Sequence, residues 1–310
     1  MTNRSLTGIA FICLGVAVFS IQDAVIKAVS GSYPVTEAVA IRSLVGLPIM
    51  LALVHYQTGV GSILSPRSPM LILRAAVMLL SYLTFYLAFP ALPLADAVAL
   101  WFMVPLIVTA LAGPVLGERV PLKAWLAVGV GLLGVVIMLQ PGTGLFKPAA
   151  LLSLFAAFFY SAAMLMARRM GGTEGASVMA FYQNLAFLLG PTLLAGAFHA
   201  AGIEGASNAS LDFLVRPWVM PPLGDLVLMG SCGFVAAAGM SLLTAAYRAA
   251  EAHVITPFEY TGLVWTPLWG YVFWHEVPAT TTVIGASLIV GAGLWALMAG
   301  RPADEQITVP

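Results

Sequence analysis

Residues 19–44 read "FSIQDAVIKAVSGSYPVTEAVAIRSL" and place four charged side chains inside two otherwise apolar runs. The sequence "GSYP" at 31–34 separates the runs and is typical of a tight turn. Followed outward, each run is about 20 residues long, which predicts two transmembrane helices joined as a hairpin. Charges inside a membrane are costly and are kept for a structural or functional reason. The four are Asp23, Lys27, Glu37 and Arg42.

The composition of the whole chain agrees with this prediction. Of its 310 residues, 61% are hydrophobic and 8% are charged, whereas soluble domains carry about 25% charged residues. The net charge is zero and no basic patch alternates with aromatics, which excludes nucleic acid as a partner. Cys13 and Cys232 lie in apolar runs and predict neither a disulfide nor a metal site. The expected partners are the lipid bilayer and a small-molecule substrate, with no cofactor.

Apolar runs that are long enough to cross a membrane occur ten times, which predicts an all-α polytopic membrane protein. The first run lasts a full span and lacks an A-x-A cleavage site, so it is interpreted as a helix and not as a signal peptide. The spans lie at 6–29, 35–56, 70–90, 94–116, 123–140, 148–169, 177–199, 223–248, 252–274 and 279–299.

The basic residues predict the orientation of these spans. With the N-terminus inside, nine Lys and Arg residues fall on the cytoplasmic side and three on the other, and cytoplasmic loops are the ones enriched in such residues. Both termini are therefore expected in the cytoplasm. The nine are Arg4, Arg67, Arg74, Arg119, Lys123, Arg168, Arg169, Arg248 and Arg301, and the three are Lys27, Lys147 and Arg216.

The two halves of the chain align weakly with one another. Lys27 and Arg42 fall 141 residues before Arg168 and Gln183. Each half has five spans, an odd number, so the second half would enter the membrane inverted. The chain thus divides into two five-helix repeats, residues 1–145 and 146–310. Inverted repeats around a central site are a hallmark of secondary transporters.

Two stretches resemble a known family. "PLIVTALAGPVLGERVPLKAWLAVGVGLLGVVIML" at 105–139 and "AEAHVITPFEYTGLVWTPLWGYVFWHEVP" at 250–278 look like the two halves of the drug/metabolite transporter superfamily, EamA type. The resemblance implies transport of small metabolites by alternating access, with export as the expected direction. The YddG-type aromatic amino acid exporters are a suspected relative within it, which these residues do not separate from other members.

Several motifs are interpreted as structural. "GVGLLG" at 129–134 matches a dinucleotide-binding pattern, but it lies within an apolar helix, where small residues let helices approach closely. Glu118 and Glu276 fall on opposite sides of the membrane in the predicted topology, so each is expected to cap or orient a short turn. His253, beside Glu251, is the one histidine considered as a proton or substrate group.

Prolines predict where the helices are interrupted. Pro105 lies within the fourth predicted span, and Pro257 and Pro267 lie within the ninth, its counterpart in the second half. A proline frees a carbonyl and bends a helix, and matching interruptions point to a substrate site with these residues as hinges. A static kink without a function is the alternative.

Aromatic and hydroxyl side chains around these prolines predict a substrate cavity. Core or lipid-facing packing is the alternative for an aromatic stripe, but a buried tyrosine hydroxyl needs a partner. Such a cavity would suit an aromatic or other apolar amino acid, with Glu259 meeting its ammonium group. The proposed binding residues are Tyr82, Tyr86, Trp101, Tyr160, Tyr247, Glu259 and Trp265.

Counting away from the turn at 31–34 pairs the four charges by depth. Lys27 lies level with Glu37, and Asp23 lies level with Arg42, deeper in the membrane. Asp23 and Lys27 are also spaced i, i+4, so a pair within one helix competes. These residues are interpreted as a structural ion-pair staple, or as an outer gate in which Lys27 or Arg42 contacts a substrate carboxylate.

The sequence therefore predicts a monomeric, multi-pass secondary transporter of a bacterial inner membrane, and not an enzyme. A drug or nucleotide-derivative carrier is the alternative within transport. A polytopic membrane enzyme would need an assembled nucleophile, metal or acid pair, and a sensor would need a soluble domain; neither is evident. Proton coupling and facilitated diffusion both stay open. The carboxylates considered for protonation are Asp23, Asp96, Glu251 and Glu259.

Overall fold

A computed structural model describes residues 3–64, 67–117, 120–142, 146–170, 174–249 and 256–299, which form helices joined by short connections. Two segments, Val60–Ile63 and Thr256–Thr261, are 3-10 helices. The α-helices are α1 Asn3–Val29, α2 Val35–Gln57, α3 Ser68–Leu87, α4 Leu94–Trp101, α5 Val104–Leu116, α6 Leu122–Leu139, α7 Ala149–Met170, α8 Ala176–Ala200, α9 Ala209–Val215, α10 Leu223–Ala249, α11 Gly262–Trp274 and α12 Thr280–Ala299.

Among the described residues, nine helical stretches are long and apolar enough to cross a membrane. Their outward faces carry large apolar side chains such as Leu44, Leu122 and Leu193, as expected of a surface that faces lipid rather than water. The predicted class, an all-α polytopic membrane protein, is confirmed. The ten-span count stays a prediction, because the ninth predicted span corresponds to Thr256–Thr261 and the 13-residue α11, and its first residues fall outside the described ranges.

The fourth predicted span is interrupted. Its residues form α4 and α5, with turns at Phe102 and Met103 and with Pro105 in the first turn of α5. Pro105 has no amide hydrogen, and its ring would clash with the carbonyl of Trp101 in a continuous helix. Trp101 therefore ends α4. In the second half, Pro257 lies in the 3-10 segment, while α11 continues through Pro267.

The connection between α8 and α10, residues 201–222, contains the short helix α9, which lies between two of the predicted spans. Asn208 caps α9, since its side-chain oxygen accepts hydrogen bonds from the amides of Ser210 and Leu211 at 2.9 and 3.3 Å. Phe213 of α9 is fully buried. This connection is thereby packed onto the bundle near α2 and α3.

The main helix contacts join the two halves of the chain. The pairs are α1 with α10, α2 with α8, α3 with α7 and α6 with α12. Gly134 and Gly285 let α6 and α12 approach, because a Cβ atom on either would lie 2.7 or 2.6 Å from the other's carbonyl oxygen. The packing interpretation of "GVGLLG" is therefore confirmed for Gly134, and the motif lies in a helix rather than after a strand.

Candidate functional site: a charged, aromatic-walled compartment

A cavity of about 200 Å³ lies in the middle of the bundle, between α1, α3, α4, α7, α10 and the start of α11. Four of the predicted binding residues line it, namely Tyr82, Trp101, Tyr160 and Glu259. Asp23 of α1 also lines it, beside Ser20 and Gln22. The cavity therefore combines two carboxylates with aromatic walls.

The aromatic wall is built where α4 ends. The Trp101 ring lies 4.7 Å from Phe85 and 4.8 Å from Tyr160, measured between ring centroids. Tyr82 and Phe85 are spaced i, i+3 on α3 and so share one face of that helix. Trp101 is the last residue of α4, and its indole packs against both α3 and α7.

Arg42 lies beside this cavity in a polar cluster. Its guanidinium donates to the Tyr86 hydroxyl at 3.0 Å and lies 5.3 and 5.8 Å from the ring centroids of Phe187 and Tyr82. With the Gln22 amide oriented to satisfy both of its atoms, Gln22 Oε1 accepts from Arg42 and Tyr86, each at 2.9 Å. In the part of the chain that the structure describes, no carboxylate is in ion-pair contact with Arg42.

A smaller cavity of about 70 Å³ adjoins the first. It is lined by Arg42, Asn184 and Phe187, and it shares Gln22 and Tyr82 with the larger cavity. The two cavities are referred to below as the central compartment. Among the described residues, the carboxylates Asp23 and Glu259 line the larger cavity and Arg42 lines the smaller.

The remaining predicted binding residues lie elsewhere. Tyr86 is fully buried and acts on the compartment through Arg42 and Gln22. Trp265 stacks on Trp269 at 6.4 Å and does not line either cavity. Tyr247 is on α10, but its side chain is outside the described set. Glu118, Glu251 and His253 also lie outside the described residues.

Sequence reasoning missed several lining residues. They are Ser20, Gln22, Thr266, Asn184 and Phe187. Gln22 carried a usable signal, because a polar side chain next to Asp23 in a membrane span usually faces the protein interior. Phe187 carried none, since an apolar ring in an apolar helix is equally suited to lipid.

The predicted depth-matched ion pairs are wrong. Lys27 pairs with Glu276, with Nζ and Oε1 2.5 Å apart, and not with Glu37. Asp23 and Arg42 interact electrostatically but are not in ion-pair contact. The reason is that α1 packs mainly along α10 and α2 along α8, so the two helices of the hairpin turn their charges toward other neighbours.

Glu276 itself has a larger role than the turn-capping that was predicted. Its second oxygen accepts from the Leu94 amide at 3.0 Å, while Lys27 also donates to the Leu92 carbonyl at 3.0 Å. The Lys27 ammonium lies 5.1 Å from the Trp274 ring centroid. This one pair therefore ties α1 to the α3–α4 connection and to the end of α11.

Further polar contacts occur at the same end of the bundle, which is formed by residues 30–34, 88–93, 201–222 and 275–279 and is called the long-loop end below. Glu37 accepts from the Val219 amide at 3.1 Å. Trp218 donates to the Thr36 hydroxyl at 2.9 Å. Arg216 pairs with Asp212 and donates to the Gly31 carbonyl at 2.8 Å. The 201–222 connection is thereby fastened to the α1–α2 hairpin.

Two groups of the long-loop end lie outside the spanning segments and have shifted pKa values. Tyr33 donates to the Asp225 carboxylate at 2.5 Å, and this hydrogen bond raises the pKa of Tyr33 to about 12. The hydrogen bond from Arg216 lowers the pKa of Asp212. Both groups therefore keep their partners over the neutral pH range.

The fold and the central compartment together define a class: multi-pass helical membrane proteins with an internal cavity between their helices. The sequence profile of the EamA-like transporter family matches residues 6–140. The match supports the family, and the drug/metabolite transporter superfamily that contains it, as expected from the sequence.

Several characterised relatives are similar over most of the chain. The pseudopaline exporter of Pseudomonas aeruginosa is 29% identical over 92% of this chain and 94% of its own length. The S-adenosylmethionine uptake transporter of Rickettsia prowazekii is 24% identical over 94% and 92%. The riboflavin transporter of Rhizobium johnstonii is 31% identical over 66% and 62%. The names of all three describe transport of a small metabolite.

A solved crystal structure shares the fold. It superposes with a TM-score of 0.59 and 18% identity, covering 94% of this chain and 96% of the other. At that identity the likeness concerns the fold alone. The suspected kinship with the aromatic amino acid exporters stays a prediction.

Proposed function

We propose that this protein is a secondary transporter that carries a zwitterionic metabolite of the amino acid type, with an apolar side chain, across a bacterial inner membrane. One observation carries this proposal: carboxylates and an arginine without a carboxylate partner among the described residues line one aromatic-walled compartment. An apolar or singly charged solute would leave part of this polar surface unmatched, at a cost in desolvation.

Each part of such a substrate has a counterpart in the compartment. A substrate carboxylate fits the Arg42 guanidinium, which Gln22 and Tyr86 hold in place. A substrate ammonium fits Asp23 and Glu259 in the larger cavity. An apolar side chain fits the rings around Trp101, where stacking and burial both contribute. In this proposal Arg42 contacts the substrate, whereas Lys27 belongs to a structural ion pair. The sequence left both roles open.

The fold supports alternating access. If each helix of the first half is exchanged with its counterpart in the second half, the α1–α10 contact becomes the α3–α7 contact. The α2–α8 and α6–α12 contacts are unchanged by the exchange, as an inverted repeat requires. The contacts of the long-loop end hold that end together, so the described conformation is closed there. With both termini in the cytoplasm, this is the outer end, and the break before Pro105 is a hinge.

Export is the proposed direction, and the similarity to the pseudopaline exporter over nearly the whole chain supports it. A carrier of nucleotide derivatives is the second candidate, because relatives are named as S-adenosylmethionine and riboflavin transporters. The aromatic walls accept a nucleobase as readily as a phenyl ring.

The test is counterflow of labelled L-phenylalanine into proteoliposomes containing the purified protein. The competitors are phenethylamine, which lacks the carboxylate, 3-phenylpropionate, which lacks the ammonium, S-adenosylmethionine and riboflavin. We expect L-phenylalanine to compete at least about tenfold better than either truncated analogue, since each lacks one charge-assisted contact.

Three outcomes would contradict parts of the proposal. Equal competition by phenethylamine would remove carboxylate recognition by Arg42. Preference for S-adenosylmethionine or riboflavin would favour the second candidate. No flux of any compound would contradict the transporter proposal itself. Glu259→Gln should weaken phenylalanine binding, whereas Glu204→Gln, at an exposed position, is the matched control and should not.

A further inference from the structure

A second buried arginine lies outside the lining of the central compartment. Arg74, on α3, is only 7% exposed. In the predicted topology, Arg74 is one of the nine cytoplasmic-side cations. The structure places its side chain inside the bundle rather than at the membrane surface.

Among the described residues, Arg74 lacks the carboxylate partner that a buried guanidinium normally has. Its Nε has no hydrogen-bond acceptor. Across the described ranges, no carboxylate is in ion-pair contact with it. An unpaired cation inside a membrane domain is expensive and usually marks a pathway for charged solutes. If Arg74 served packing alone, an apolar side chain at this position would avoid the desolvation free energy of a buried charge.

The position of Arg74 connects it to the compartment. It precedes Met78 by four residues and Tyr82 by eight, so the three share one face of α3. At 1.5 Å per residue, Arg74 lies about 12 Å from Tyr82 along the helix axis, toward the end opposite the long-loop end. Tyr82 and Tyr160, which line the compartment, lie within electrostatic range of Arg74.

Tyr82 thus lies between two arginines that lack carboxylate partners in the described part of the chain. Arg42 contacts its ring from one side, and Arg74 lies two helical turns below it. The polar contacts of the long-loop end hold that end together, and Arg74 lies on the other side of Tyr82, toward the opposite end of the bundle.

We propose that Arg74 is a second anion-binding residue, which receives the carboxylate of the substrate as it passes between Arg42 and the end of the bundle opposite the long-loop end. The proposal rests on the transport function above and deepens it. It requires the transported molecule to carry an anionic group, and it assigns Arg74 to the rate of translocation rather than to the affinity of the compartment.

The test compares Arg74→Met, Arg74→Lys and the matched control Arg169→Met in proteoliposomes and in detergent. Arg169 is exposed and donates to the Val115 carbonyl at the end of α5. The measurements are the Kd for L-phenylalanine, its counterflow rate, and the melting temperature. For Arg74→Met we expect a Kd within about twofold of the wild type and a rate lowered about tenfold or more, because a charge-assisted contact in transit is lost.

The melting temperature separates a transport role from a structural one. Removing an unpaired buried charge should leave Arg74→Met as stable as the wild type or more stable. Arg74→Lys should keep a substantial part of the rate, because it keeps the charge, and Arg169→Met should behave as the wild type throughout.

Two results would overturn the inference while leaving the transporter proposal intact. One is a wild-type counterflow rate in Arg74→Met. The other is a lowered melting temperature in Arg74→Met that Arg74→Lys restores together with the rate, which would make Arg74 a structural residue. Absence of phenylalanine flux in the wild-type protein is a different outcome, since it would contradict the proposed function and the inference with it.

Discussion

The long-loop end and the central compartment both bury a basic side chain from the first hairpin, but they treat it in opposite ways. Lys27, 7% exposed, has a carboxylate, a carbonyl and an indole face around its ammonium. Arg42, 5% exposed, has a phenol, an amide and two aromatic rings. The first environment places a carboxylate in direct contact with the charge, whereas the second, among the described residues, orients the charge without such a contact.

Under the proposed function, this difference separates a structural contact from a binding site. A charge that already has a rigid counter-ion gains little from a ligand, because the ligand would have to displace that partner. A charge that is held in place and lacks a counter-ion is preorganised for one that arrives with the substrate. The two regions should therefore respond differently to substitution, the first in stability and the second in affinity.

The largest effect is expected when the closure is broken from one side. Glu276→Ala leaves the Lys27 ammonium buried without an anion, which should destabilise the protein by about 3 kcal/mol, at the lower end for buried pairs because Glu276 is a quarter exposed. Thermal unfolding in detergent measures it. The double variant Lys27→Met with Glu276→Met should recover much of the loss, and a double variant as unstable as Glu276→Ala would contradict the neutralising role of the pair.

In the compartment, loss of the charge should act on binding instead. Arg42→Gln should weaken L-phenylalanine binding about 10- to 150-fold, as expected for a lost charge-assisted hydrogen bond, with little change in melting temperature. Equilibrium binding to the purified protein measures the Kd. Arg42→Lys, which keeps the charge but loses the planar fork, should fall between the two. An unchanged Kd in Arg42→Gln would remove Arg42 from the site.

A third substitution lies in the α6–α12 contact, outside both the long-loop end and the central compartment, and should change stability without changing binding. Gly134→Ala should destabilise the protein by about 1–3 kcal/mol, because its Cβ would meet the Gly285 carbonyl oxygen at 2.7 Å. The Kd for phenylalanine should not change. Gly129→Ala is the control, since a Cβ there meets no atom within 4 Å, and it should be neutral or slightly stabilising. Equal melting temperatures for the two variants would argue against the close α6–α12 contact.

The smallest effect is expected from pH at the long-loop end. The pKa of Tyr33 is raised to about 12 from an ordinary value near 10, so the folded state binds the phenol proton more tightly than the unfolded state. Its contribution is complete below pH 10 and is lost as the pH rises toward 12. Tyr33→Phe should therefore flatten the decline of melting temperature between pH 10 and 12. An identical alkaline decline in both proteins would show that the Tyr33–Asp225 contact does not contribute.

Most helix positions were predictable because a membrane helix is specified by a long apolar run, and α2, α7 and α8 begin and end within a residue or so of their predicted spans. The break in the fourth span was also predictable in kind, from Pro105. The short helix α9 was not, since its seven residues depend on the Asn208 cap and on burial of Phe213.

The contacts of the buried charged side chains could not be predicted from the sequence. Counting from the turn at 31–34 gives depth along each helix, but a pair also needs the right rotation about the helix axis, which the packing of α1 on α10 determines. As a consequence, Lys27 pairs with Glu276, which is 249 positions away in the sequence. Arg74 was placed among the cytoplasmic-side cations, although its side chain is buried. The position of Gln22 beside Asp23 indicated an interior side chain, but its contacts with Arg42 and Tyr86 depend on two other helices and could not be predicted.

The contacts that close the long-loop end have one property with an evolutionary consequence. Several of the groups that Lys27, Glu37, Arg216 and Glu276 contact are main-chain atoms: the carbonyls of Gly31 and Leu92 and the amides of Leu94 and Val219. Every amino acid supplies the carbonyl, and every one except proline supplies the amide. Sequence drift at those four positions therefore leaves the contacts in place. A few charged side chains are therefore enough to hold this end together. The residues that line the compartment below it can change, and with them the proposed substrate, without loss of these contacts.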